Sequence, residues 1–150
     1  MKQILFILSI VLIVAVACNK DKFTTTPQVS IKSISPSIVN NGNIISMEGK
    51  YTDQEGDLDS VFIVYKWYNG TTVVKKDTFR YPFSDLNLPP NTKEGEILID
   101  FQYNTAIPNG YVPLPGVSRD TTATFGLILL DVEKNRSNYA ESKSIRLVKP

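Results

Sequence analysis

Four carboxylates crowd into one short stretch of the sequence, at Asp53, Glu55, Asp57 and Asp59. Their alternate spacing turns them to one side of an extended backbone, where like charges repel. A hard cation with oxygen ligands relieves such repulsion, as calcium does in many loops. The expected ligands are Asp53, Asp57 and Asp59, joined by Asp131 from far along the chain. A second outcome stays open at this point. Glu55-Gly56 can simply make a turn, with Asp53 and Asp59 accepting bonds from nearby amides and Lys134 and Arg136 supplying the opposite charge.

Other chemistry is bounded by what the sequence lacks. There is no histidine and only one cysteine, Cys18, so Ser-His-Asp and Cys-His catalysis, histidine-ligated zinc or haem, and an internal disulfide are all excluded. Sixteen basic side chains stand against fifteen acidic ones, a balance that gives no electrostatic reason to bind nucleic acid. Two carboxylates about 5 to 10 Å apart across a cleft would support glycoside hydrolysis. The acids here gather on a turn instead.

Two groups of apolar and aromatic residues could recognise a partner. One lies in the proline-rich stretch 104–120, where Tyr111, Val112 and Leu114 are held among prolines that leave little entropy to lose on docking. The competing expectation is that this stretch folds down as a lid over the end of the domain. The other group, Tyr68, Tyr81 and Phe83, offers rings on which a sugar could stack. Trp67 is expected in the core, because it shares a strand face with Val61 and Ile63.

The elements that must position these residues are strands. Apolar side chains recur in twos rather than at helical spacing. Strands are expected from Val29 to Ser35, Ile45 to Tyr51, Ser60 to Tyr68, Thr71 to Thr78, Ile97 to Tyr103, Thr122 to Val132 and Ser142 to Val148. Asn69-Gly70 marks a hairpin, and Pro82, Pro89 and Pro90 make 80–93 a loop or a short irregular edge. The third and sixth strands are apolar on both faces, which places them centrally with something covering their outer side. About seven strands at these intervals predict an all-β, immunoglobulin-like, two-sheet antiparallel sandwich over residues 28–150.

The N-terminus sets the compartment. Lys2 precedes an apolar run from Ile4 to Val16, too short for an ordinary membrane span, and small residues at Ala15 and Ala17 lead to Cys18. This resembles the lipobox of bacterial lipoproteins of the Bacteroidetes type. The resemblance implies removal of the signal peptide 1–17, acylation of Cys18 with diacylglycerol and palmitate-like chains, and a polar tether over 18–27. Asn19 after the cysteine implies outer-membrane sorting, with the periplasmic or cell-surface face left open.

From Gly49 through Asp59, with Trp67, Asp131, Asn135 and Ser137, the sequence also resembles the Ig-like and PKD-like modules of bacterial surface proteins. In that topology the turn before the third strand and the turn after the sixth lie at one end, so Asp131 should approach Asp53 to Asp59. The tether starts at that end, and the 104–120 stretch should face away from the membrane. The reading that follows is a non-catalytic, lipid-anchored envelope module that binds a protein or glycan partner. The alternative is a glycosidase-like or other hydrolytic enzyme.

Overall fold

The computed structural model describes residues 25–86, 89, 91–105 and 111–150. The signal peptide, Cys18 and most of the tether lie outside the described residues.

Ten strands form: β1 Gln28–Ser35, β2 Ile38–Val39, β3 Ile44–Thr52, β4 Leu58–Asn69, β5 Thr72–Pro82, β6 Glu94–Tyr103, β7 Val112–Leu114, β8 Thr121–Asp131, β9 Ala140–Glu141 and β10 Ile145–Leu147, with a short 3-10 turn at Phe83–Leu86. One sheet has the order β1-β3-β6-β7, and the other β2-β10-β8-β4-β5 with β9 added beside β8. The protein is an immunoglobulin-like β-sandwich. All seven expected strands are present. The sheets are mixed rather than purely antiparallel, since β2 runs parallel to β10 and β7 parallel to β6.

Alternation builds the core. Ile45, Met47 and Tyr51 of β3 and Ile97, Ile99, Phe101 and Tyr103 of β6 are buried toward the facing sheet. Val61, Ile63, Tyr65 and Trp67 of β4 meet them with Phe125, Leu127 and Leu129 of β8. Phe101 and Phe125 join the two sheets directly, with ring centroids 4.7 Å apart. Trp67 is in this core, as its strand face predicts.

The outer face of the central pair β4 and β8 is also covered. The ring of Tyr139 lies against Gly126, where a Cβ would overlap it. The Lys66 ammonium is 4.7 Å from the centre of the same ring. Arg80 and Arg136 flank Phe62, their guanidinium carbons 5.6 and 6.0 Å from its centre.

Two expected boundaries are corrected. β5 continues through Arg80 and Tyr81 to Pro82, paired to Ser60, because an edge strand tolerates the missing amide of a terminal proline. The last expected strand, Ser142 to Val148, is shorter than expected, forming β10 at Ile145–Leu147, and the separate two-residue β9 precedes it. Between them Ser142 turns inward, its hydroxyl accepting the amide of Phe125.

Candidate functional site

The two sheets do not close over one another along the side where β5 faces β6 and β7. β7 pairs with β6 only at Phe101 to Tyr103, so among the described residues no strand pairs with that edge of β6 from Leu98 to Asp100. A cleft of about 260 Å³ forms there, floored by Ile63 and Ile99 and walled by Tyr81, Asp85, Leu98, Asp100 and Tyr111. The seam continues past Tyr65, Lys75 and Phe79 on one side and Pro113 and Pro115 on the other. Further along it reaches Trp67 and Val74, opposite Val117 and Arg119. Under it runs a file of rings, with Phe79 to Tyr65 at 5.8 Å and Tyr65 to Trp67 at 5.5 Å between centroids. Lys75 Nζ lies 4.5 Å over Trp67.

This cleft joins Tyr81, Tyr111 and Val112, three of the residues expected to recognise a partner. Burial raises the Tyr81 hydroxyl above its ordinary pKa, so it serves as a neutral donor and acceptor. The expectations are otherwise corrected. Val112 and Leu114 are mostly buried, because β7 adds them to the sheet edge beside β6, and both border the seam from within. The stretch 111–114 therefore runs back along the seam rather than standing out at the far end of the domain. Tyr68 lies on the outer sheet face, within 3.2 Å of the Thr124 hydroxyl and bonded to Glu141. Phe83 packs edge-on against Tyr51 near the opposite turn. Asp85, Leu98 and Asp100 were not expected in a site. Leu98 carried a signal, as an apolar residue among the polar outward positions of β6, and it is 61% exposed.

The carboxylates assemble elsewhere, at the end of the sandwich where β1 begins. Gly56 turns the chain with φ of +70°. Asp53 Oδ2 accepts the Asp57 amide at 3.0 Å, and Asp131 accepts both the amide and the side-chain nitrogen of Asn135, at 2.7 and 2.8 Å. A bond from Val132 N to Asp57 O at 3.1 Å ties the two turns together. Asp53 and Asp131 are fully buried. Carboxylate oxygens of Glu55, Asp57 and Asp131 lie within 4.8 Å of one another.

Asp59 is not among them, which corrects the expected ligand set. Its oxygen is 3.2 Å from Arg80 and 3.3 Å from Lys134, since the strand register of β4 aims it at β5. Glu55 takes its place beside Asp57 and Asp131. Desolvation, then the Asp53 and Asp131 charges, push the Asp57 carboxyl above its ordinary range. Glu55 is raised by desolvation and then by Glu133, Asp57, Asp53 and Asp131.

The sequence matches no protein-family model and no curated protein. Solved structures similar to the chain include a Niemann-Pick type C2 protein from Japanese carpenter ant, with 12% identity and a TM-score of 0.47, covering 84% of this chain and 97% of that one. Another is the sporulation control protein Spo0M of Bacillus subtilis, at 8% identity and TM-score 0.44, covering 85% of this chain but 51% of that one, so the chain spans about half its length. The CARDB domain of PF1109 from Pyrococcus furiosus, in complex with di-metal ions, shares 13% identity at TM-score 0.35, covering 86% of this chain and 95% of the domain.

Proposed function

We propose that the protein is a lipid-anchored cell-envelope module that binds a glycan in the seam between its sheets, without catalysing a reaction. The observation that carries this reading is the convergence of Tyr81 and Tyr111 on one cleft with Asp85 and Asp100. Sugar recognition needs flat apolar rings beside a few fixed polar groups, and this cleft supplies both. Its volume suits one or two sugar rings rather than a protein domain. The anchor is read from Cys18 and the signal ahead of it, and two or three acyl chains suffice for stable membrane residence.

The test is affinity electrophoresis through gels containing soluble polysaccharides, alongside a glycan array. Retention of the wild type, lowered at least about tenfold, or about 1.4 kcal/mol, by Tyr111→Ala and by Tyr81→Ala, supports the reading. A photo-crosslinker at position 111 that captures a protein while the array stays blank moves the partner to a polypeptide. A Cys18→Ala variant that stays in the membrane fraction removes the anchor.

A hydrolytic reading is favoured by one observation, that two carboxylates line the aromatic cleft. Asp100 Oδ1 already accepts the Ser46 hydroxyl at 2.6 Å. Release of dye from aryl glycosides, abolished by Asp85→Asn or Asp100→Asn, would decide for it.

A further inference from the structure

We propose that Glu55, Asp57 and Asp131, backed by Asp53, form a calcium site that clips the β3–β4 turn to the end of β8. Three ligand oxygens, two from the β3–β4 turn and one from the end of β8, already converge within 4.8 Å. Oxygens bound to one calcium at about 2.3 to 2.6 Å lie no more than about 5.2 Å apart, so a single ion can reach all three. A second observation is independent of that clustering. Asp53 is fully buried, yet its Oδ1 has no hydrogen-bond partner, and Asp57 Oδ1 is likewise buried and unpartnered. Buried carboxylate oxygens without a donor are rare in folded proteins.

The protein's own cations do not answer this demand. Arg80 and Lys134, the bases nearest the turn in these contacts, are both committed to Asp59. Among the described residues no ion pair reaches Asp53, Glu55, Asp57 or Asp131. The donors are all hard oxygens, with no nitrogen or sulfur ligand, which selects an alkaline-earth ion over zinc or copper. Carboxylates drawn from a turn and a strand end suit the adaptable shell of calcium better than the strict octahedron of magnesium. Water completes the shell on the side of Glu55, which is exposed.

Such an ion reinforces a junction that the backbone already makes through the Leu58 to Asp131 pairing and the Val132 to Asp57 bond. It binds the folded arrangement and not the unfolded chain, so it raises the melting temperature. The whole chain, purified in detergent, is melted in about 1 mM calcium chloride and in EDTA, and titrated with calcium by calorimetry. The expected result is one ion per chain and a melting temperature higher in calcium by about 5 °C or more. Glu55→Gln, a change at an exposed position that leaves the fold intact, removes most of that shift, and Asp57→Asn removes it entirely. Asp59→Asn keeps it. Equal melting of the wild type in calcium and EDTA overturns the site, as does a shift that survives Glu55→Gln and Asp57→Asn together. Loss of the shift in Asp59→Asn alone overturns the ligand assignment.

Discussion

Gly126 is a position where one missing atom decides how a whole segment lies. It sits mid-way along β8, where a side chain would point out of the sandwich, and the Tyr139 ring occupies that space. The ring in turn carries the Lys66 ammonium on its face. Gly126→Ala therefore forces Tyr139 away and is expected to lower stability by about 1 to 3 kcal/mol, the usual range for overpacking. The check is a double-mutant cycle from urea unfolding. Gly126→Ala combined with Tyr139→Ala should be less destabilising than the sum of the two, because the second change removes what the first collides with. Additive losses would mean that the ring does not rest there.

At the scale of elements, the segment after β8 acts as a clasp. Asn138 donates to Val29 O at 2.8 Å and accepts from Val29 N at 2.9 Å, so a side-chain amide occupies the open edge of β1 where another strand could pair. Three residues on, Glu141 receives Lys66 at 2.9 Å and the Tyr68 hydroxyl at 3.3 Å, together with the Thr124 hydroxyl. Desolvation works against ionising Glu141, but the bonds from Thr124 and Lys66, the Lys66 charge and the Tyr68 bond outweigh it and hold the carboxyl below its ordinary value of 4.5. A depressed carboxyl contributes stability that is present above the unfolded pKa and lost as the pH falls through the folded one. Glu141→Gln should therefore melt below the wild type at pH 7, and the gap should narrow as the pH falls below the ordinary carboxylate value and close once the depressed carboxyl is protonated as well. A gap that is constant over that interval would assign the loss to packing rather than charge.

The same elements show what could be read from the amino acids and why. β3, β4, β6 and β8 run nine residues or more, and their alternation is long enough to be unmistakable. β2, β7 and β9 have two or three residues each, too few for any period, and the parallel pairing of β7 to β6 leaves no turn signal to betray it. That missing strand is why Val112 and Leu114 looked freely exposed, while in the sandwich both are mostly buried and only border the seam. At the acidic turn, residue types pointed to Asp131, but the exchange of Asp59 for Glu55 follows from Arg80 lying opposite β4, a fact of pairing between strands rather than of local spacing.

For the molecule as a whole, the cleft and the start of β1 stand in a defined relation. β1 enters beside the end of β3, with Gln28 paired to Thr52, so the chain arrives at the end that carries the carboxylates, while Tyr81 and Tyr111 lie on the flank. An open flank means that the sheets are held to each other by what is packed between them, with no disulfide available from a single cysteine. Phe101 and Phe125 are fully buried and in contact across that space. Phe125→Ala is expected to cost about 3 to 5 kcal/mol, a large share of the roughly 5 to 15 kcal/mol that stabilises a domain of this kind. Phe125→Leu keeps most of the volume and should cost less than about 1.5 kcal/mol. In urea both variants should lower the midpoint in that order at an unchanged slope, because one core joins both sheets and they unfold together. A biphasic transition in Phe125→Ala would show instead that one sheet outlasts the other, and that the contacts along the closed side, from β1 and β3 to β8 and β10, suffice to hold the sandwich without its central pair of rings.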